Sequence, residues 1–370
     1  MIRLAFRNLF QNKIRLIISV GGVALALLLI LSLDAVFSGV ERQITAYIEH
    51  SGADIWLSQA DVYNMHMASS SLPDSVVRKV KFVPGVATVM PILYLTNNVV
   101  VGDERNLAYI IGLPENAEFG GPWKITSGRS LPGAGEAIID RNVAEKSGIA
   151  LGDEVEILGK EFKVTGLSEG TASLVNSVAF ISMEDFEEMR GSYDTVSFLL
   201  VKVSDGESPE VVAARIQSQV RDVTAQTRGD FATQERQVVK DMSTDVITIM
   251  NLIGFLIGLA VMALTVYTST LSRRREYGML KALGAHNTDL YLTVLAQAIL
   301  SVILGFLFGL TMTLLLSLII PLFGSNLSLE VGRISLVKVG SISLVIAAIS
   351  AMLPIRQIAG LDPAMVFRGR

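Results

Sequence analysis

Two long uncharged stretches decide what this chain can become. Val246 to Ser272 carries no charged residue, and neither does Leu290 to Leu329. A hydrocarbon core about 30 Å thick is crossed by about 20 apolar helical residues, so each stretch predicts a membrane span. The second stretch, 40 residues long, would extend about 60 Å as one helix. Pro321 and Phe323-Gly324-Ser325-Asn326 break it, which leaves one span and an apolar outer loop. Leu16 to Leu33 adds 18 uncharged residues near the N-terminus. This run is too long for the apolar region of a cleaved signal peptide, and Asp34-Ala35-Val36-Phe37 is a poor cleavage site, so it predicts an uncleaved anchor. A fourth span covers about Ser335 to Ile355, with Lys338 near its outer end able to snorkel. Asp34 is expected to reach lipid headgroups at the outer end of span one.

The charges orient these spans. Residues 1–15, 272–289 and 355–370 together hold eleven bases and three acids, while 38–245 holds 18 bases and 30 acids. The positive-inside rule then puts both termini and the 272–289 segment in the cytoplasm and the large segment outside. The acidity outside argues against nucleic acid as a partner. Overall 51% of residues are hydrophobic and 18% charged, against about 25% charged in soluble domains. No cysteine occurs, so disulfides and thiolate metal sites are excluded.

Between spans two and three lies Ser272-Arg273-Arg274-Arg275-Glu276-Tyr277-Gly278-Met279-Leu280-Lys281-Ala282-Leu283-Gly284-Ala285. Leu280 to Leu283 are good helix formers, and Gly284 is suited to the left-handed residue that ends a helix. Met279, Leu280 and Leu283 give this short helix an apolar edge, as a segment docking on another protein needs. The run resembles the signature of the FtsX/MacB/LolC-type ABC transporter permeases, Arg-Arg-x-Glu-Ile-Gly-(x)-Leu-(Arg/Lys)-Ala-(Leu/Met)-Gly-Ala, with Tyr277 in place of the usual Ile. The resemblance implies a coupling helix that docks on a separate ATPase, through Arg274, Arg275, Glu276, Tyr277, Gly278, Leu280, Lys281 and Gly284. ATP and Mg would then be bound by that ATPase, and no cofactor by this chain. A second permease copy is implied, and a membrane-fusion or other accessory protein outside is an expectation. The tail Leu361-Asp362-Pro363-Ala364-Met365-Val366-Phe367-Arg368 also resembles the family's closing motif.

The predicted plan is a membrane protein of four helices with a large α+β domain inserted between helices 1 and 2. Residues 1–13 form an amphipathic elbow helix at the membrane interface, and 14–38 span one. The outer domain is 39–245, with stalk helix 231–245. Span two is 246–271, the coupling segment 272–289, span three 290–320, the outer loop 321–334, span four 335–355 and the tail 356–370. Within the outer domain, strand 54–58, helix 73–80 and strands 86–90 and 98–101 give one β-α-β half. Strand 196–203, helix 208–220 and strand 222–225 give the other, so one α+β unit is built from both ends. The insertion 113–190 is β-rich, with a hairpin over 152–166 turning at Gly159-Lys160. The run from Gly135 to Phe186 resembles the extracytoplasmic core domain of MacB-type permeases.

Two small features remain. Gly254-Phe255-Leu256-Ile257-Gly258 in span two is a G-x-x-x-G that offers dimer packing. Met65, His66 and Met67 are weak metal candidates, as thioether and imidazole groups suit copper(I) or haem. No phosphate-loop motif or H-E-x-x-H occurs, so the chain is expected to be a transmembrane subunit and not an enzyme. The resemblance implies mechanical transmission from ATPase to outer domain, for export or extraction of a hydrophobic or amphipathic substrate. The alternative is a non-transporting member that regulates a cell-wall hydrolase outside.

Overall fold

The computed structural model describes residues 13–101, 104–173, 177–320, 327 and 329–360. The elbow over 1–12, the closing tail motif and most of the outer loop lie outside the described residues. Two compact units emerge: residues 1–39, 243–322 and 328–370 form one, and 40–242 with 323–327 the other.

The first unit is built from stretches of four helices long and apolar enough to cross a membrane. They are α1 (Lys13–His50), α6 (Arg228–Ser272), α8 (Asn287–Ile319) and α9 (Arg333–Ala359). Helix α1 continues to His50, past the span end expected at 38. Helix α6 is unbroken over 45 residues, because no Pro or Gly pair interrupts the change from polar to apolar sequence.

Close approach in this bundle depends on glycine. A Cβ on Gly254 would meet Ile30 Cγ1 at 2.6 Å, and one on Gly258 would meet Ala26 Cβ at 3.3 Å and Ile346 Cδ1 at 3.1 Å. The G-x-x-x-G of α6 therefore packs on α1 and α9 of its own chain. This corrects its assignment to a dimer contact: the space beside both glycines is already filled. Gly305 and Gly309 of α8 do the same, with Val23 Cγ1 at 2.8 Å and the Ala24 carbonyl at 3.1 Å from their added Cβ positions. Polar groups in the bundle find each other. Gln297 Nε2 donates to Ser269 Oγ at 2.9 Å. Lys338 Nζ donates to Asp34 Oδ1 at 2.7 Å. Asp34 is thus paired across to α9 and does not reach out to headgroups, and Lys338 does not snorkel alone; an unpaired charge there would cost more than the pair.

The second unit is α+β. Strands β12 (Val223–Thr227), β1 (Ile55–Gln59), β11 (Phe198–Val203) and β3 (Val86–Val101) lie side by side in that order. β1 and β3 are both antiparallel to β11 between them, so β1, α2 (Asp74–Lys81) and β3 form a split β-α-β unit. β11, α5 (Pro209–Gln219) and β12 form its counterpart. Side chains alternate as a pleat requires. Ile55, Leu57, Leu199 and Val201 join Val76, Val80, Val212 and Ile216 on the helix-covered face. Trp56, Phe198 and Leu200 face the other way, where Trp56 stacks on Phe231 of α6 at 4.9 Å and meets Tyr47 of α1 edge-on at 5.8 Å.

β3 is one strand of 16 residues, where two short strands were expected. Its first half belongs to the four-strand sheet and its second half opens a ring. The ring runs β3, β4 (Glu104–Leu113), β9 (Ser177–Ser182), β6 (Glu136–Asp140), β8 (Lys160–Ser168), β7 (Glu154–Ile157) and back to β3. β5 (Ile125–Gly128) flanks β8. The β-rich insertion therefore begins near Leu93 and not at 113. Inside the ring pack Leu93, Ile110, Ile139, Phe162, Val164 and Ile181. The β7–β8 turn is at Leu158-Gly159, both with positive φ (55° and 81°). That is one residue before the expected Gly159-Lys160, because a two-residue primed turn needs left-handed residues at both centres. The remaining short elements are β2 (Leu72–Pro73) with β10 (Thr195–Val196), α3 (Arg141–Lys146) and α4 (Met183–Arg190).

Gly309→Leu is expected to lower the thermal midpoint of the detergent-solubilised chain by an amount matching about 1–3 kcal/mol or more of overpacking. Gly21→Leu, where no atom lies within 4 Å of an added Cβ, should leave the midpoint nearly unchanged. Equal midpoints for the two variants would contradict the glycine contacts.

Candidate functional site

Helix α7 (Arg274–Ala282) forms from the charged segment between α6 and α8. Helix α6 stops at Ser272, and Arg273 leaves helical geometry (φ −106°, ψ 15°) before the chain turns into α7. The far end closes as a Schellman motif: Gly284 takes φ +95°, Gly284 N–H donates to the Lys281 carbonyl at 3.0 Å, and Ala285 N–H donates to the Leu280 carbonyl at 2.9 Å.

The helix has two distinct sides. Tyr277 is 2% exposed and joins the bundle core of Met262, Val266, Leu290 and Ile358, with Leu280 packed against the same cluster. Gly278 is buried beside it. Lys281 Nζ donates to the carbonyls of Ile358 and Ala359 at 3.0 and 3.2 Å. These are last-turn carbonyls of α9, which have no helical donor of their own. The other side holds Arg274, Arg275 and Glu276, all exposed, with Met279 48% and Leu283 85% exposed. Among the eight coupling residues expected from sequence, Arg274, Arg275, Glu276 and Gly284 are therefore outward. Tyr277, Gly278, Leu280 and Lys281 instead fasten α7 to its own chain. The apolar edge is also split: Leu280 turns inward, and Met279 and Leu283 turn outward.

Arg273 was not anticipated. It is 8% exposed, and its guanidinium lies 3.4 Å from Glu276 Oε2. The signal for it was available, since residues four apart share a helix face and Tyr277 is an apolar member of that face. Thr270, Leu271, Arg274, Gln357 and Ile358 line a small cavity of about 110 Å³ beside the helix. An open groove of about 480 Å³ lies between α6 and α9, walled by apolar side chains such as Leu256, Ala260, Met352 and Leu353, with Arg356 also on its lining.

Met65, His66 and Met67 do not gather into a ligand set. Met65 is a core residue and Met67 is 68% exposed. His66 Nδ1 is in direct contact with Glu235 Oε1 of α6 and lies 3.3 Å from the Tyr109 hydroxyl. Glu235 Oε2 accepts the Met65 backbone N–H at 2.7 Å. The imidazole is already committed, so the metal assignment is withdrawn. Burial pushes the Glu235 carboxyl up to about 7 and the His66 imidazole down to about 4.

These two groups pull stability in opposite directions. Folded Glu235 keeps a proton that the unfolded chain releases above about 4.5, so it erodes stability as pH rises from there through 7. Folded His66 refuses a proton that the unfolded chain takes below 6.5, so it adds stability as pH rises from 4 to 6.5. Glu235→Gln removes the first slope. Its urea midpoint, followed by the fluorescence of Trp56 and Trp123, should climb across pH 4–6.5, and its stability relative to the wild type should increase from about pH 4.5 through 7 and level off above. A variant profile as flat as the wild type's would contradict the assignment.

Residues 16–219 match the MacB-like periplasmic core domain, and residues 248–363 match the FtsX-like permease C-terminal domain. An ABC transporter permease of Methanocaldococcus jannaschii is 25% identical over 400 residues, covering 100% of this chain and 97% of that protein. An ABC transporter permease of Mycobacterium tuberculosis is 20% identical over 367 residues, covering 99% of both. The pyoverdine export ATP-binding/permease protein PvdT of Pseudomonas syringae pv. tomato is 21% identical over 393 residues; the match spans 98% of this chain and 58% of PvdT. The crystal structure of the periplasmic region of MacB from Actinobacillus actinomycetemcomitans aligns with a TM-score of 0.39 at 14% identity, over 50% of this chain and 92% of that one. With four membrane-length helices, a core domain inserted after the first and a permease C-terminal half containing α7, the chain belongs to the MacB/FtsX-type ABC transporter permeases.

Proposed function

We propose that this permease couples ATP hydrolysis by a separate ATPase subunit to movement of its extracytoplasmic domain. The observation that carries the reading is the two-sidedness of α7. One side is fixed to the bundle through Tyr277, Leu280 and Lys281, and the other offers two arginines, a glutamate, Met279 and Leu283 to a partner. A partner's push on the exposed side is passed to the ends of α6, α8 and α9 through the packed side chains of Tyr277 and Leu280. The arginines supply charge-assisted hydrogen bonds to carboxylates, and Leu283 supplies an apolar contact. ATP and Mg belong to the ATPase.

In this reading both termini and α7 are cytoplasmic, in a prokaryotic cell membrane, and two permease copies act together. The cargo is a hydrophobic or amphipathic molecule that is exported or extracted from the membrane. The α6–α9 groove favours that class: apolar walls with Arg356 among them suit an acyl chain ending in an anion. An accessory protein on the outer side completes the assembly.

The test is ATPase activity of the complex purified from native membrane in mild detergent. Leu283→Asp and Arg275→Glu should each cut permease-stimulated turnover by about tenfold or more, as loss of an interface anchor does. Membrane insertion and the thermal midpoint should not change, since both side chains are exposed. Wild-type turnover in both variants would sink the assignment of α7.

A further inference from the structure

The first half of β3 has one unused edge. β11 pairs with Val86–Ile92 on one side, but β4 pairs only with Leu93–Val101 on the other. The slot beside Val86–Pro91, where β4 would continue, holds no strand among the described residues. β4 ends at Leu113, and Pro114 would be the next residue to pair, opposite Pro91. Neither proline has an N–H to give, so the ladder stops and the chain turns away.

The direction of the backbone groups at this edge follows from the register. The Ile92 carbonyl accepts from Ser197 N–H at 2.9 Å, just before β11. Backbone groups of alternate residues point the same way, so Ile92, Met90 and Thr88 face β11. Val89 and Pro91 therefore face the empty slot, presenting the N–H and carbonyl of Val89 and the carbonyl of Pro91. A proline at an open edge sacrifices no ladder bond, which fits its place here.

The slot is a groove and not a flat border. Its volume is about 460 Å³; Val86 to Pro91 form one wall, Pro114, Asn116 and Glu118 the other, and Lys81 also lines it. Six residues of edge extend about 20 Å, enough for a short strand. Phe82, which follows the lining residue Lys81 at the end of α2, is 87% exposed, an aromatic that the fold leaves without cover.

We propose that the Val86–Pro91 edge is a β-addition site, taking an extended peptide segment of a partner protein as a further strand in the slot that β4 leaves at Pro114. Main-chain bonds to Val89 and Pro91 supply affinity, and an apolar side chain of the peptide covers Phe82. A second copy of this chain is disfavoured as occupant. Two-fold pairing of β3 on β3 would drive each copy's Pro114–Glu118 wall into the other, while a single extended segment enters between the walls. The site is independent of α7 and the ATPase.

The full chain in lipid nanodiscs is panned with phage displaying random linear peptides about ten residues long, a length that spans the edge. The best binder is resynthesised in two forms, each N-methylated at alternate amides. One form should lose about tenfold or more in affinity and the other less than about twofold, since only one set of amides can face the edge. Phe82→Ser and Ala87→Arg, both at exposed positions, should each weaken binding. Because the chain has no cysteine, an Ala87→Cys variant carries a single thiol, which bound peptide should shield from maleimide. No enrichment over empty nanodiscs, equal loss from both methylated forms, or binding untouched by the two substitutions would overturn the proposal. A ready disulfide between two Ala87→Cys copies would overturn it as well, and give the edge to a second copy.

Discussion

The membrane bundle depends on the closeness of α1 to the glycines of α6 and α8. In lipid, apolar side chains gain little by leaving one hydrocarbon for another, so helices associate through contact that only small residues permit. Here Val23, Ala24, Ala26 and Ile30 lie where side chains at Gly254, Gly258, Gly305 and Gly309 would otherwise stand. Helix α9 joins through Ile346 and through the Asp34–Lys338 pair. With the helices held this tightly, α7 rests on a firm base, and Tyr277 can be buried at the junction.

The α+β domain solves a different problem, that of joining a sheet to a ring without exposing a hydrophobic border. A single long strand serves both: β3 contributes Met90 and Ile92 to the aromatic cluster around Trp56, and Leu93 and Val99 to the ring interior. The change of partner falls between Ile92 and Leu93, next to Pro91. A proline inside a 16-residue strand would ordinarily argue against a strand. It is tolerated because at that point the strand is an edge on one side.

Much of this was legible in sequence where one physical requirement dominated. Uncharged runs longer than the bilayer had no other use, and Arg273–Ala285 carried both a helix-ending glycine and the family signature. The two β-α-β halves were readable because Pro73 and Pro209 mark helix starts and the strands are rich in Val and Leu. What was missed depends on partners distant in sequence. Glu104–Leu113 has a polar beginning and is a strand only because β3 and β9 flank it. Gly254 and Gly258 signal close approach but do not say to what. Met65, His66 and Met67 looked like ligands until Glu235, 170 residues away from Met65, took the imidazole. Periodicity also cannot tell which side of α7 meets its own bundle, so Tyr277 and Leu280 were given to the wrong neighbour.

The glycine seam has a consequence for biosynthesis. Helix α1 is made first, and roughly 200 residues must follow before Gly254 emerges; at about 5–20 residues per second this takes roughly 10–40 s. During that interval the seam of α1 faces lipid with nothing to grip. Val23, Ala24, Ala26 and Leu27 endure this without penalty because they are as compatible with acyl chains as with another helix. The twelve strands among the described residues between Ile55 and Thr227 are synthesised in the same interval. The soluble domain can thus complete its pairing before the bundle forms, and the nascent chain need not protect a half-built core while its membrane part waits.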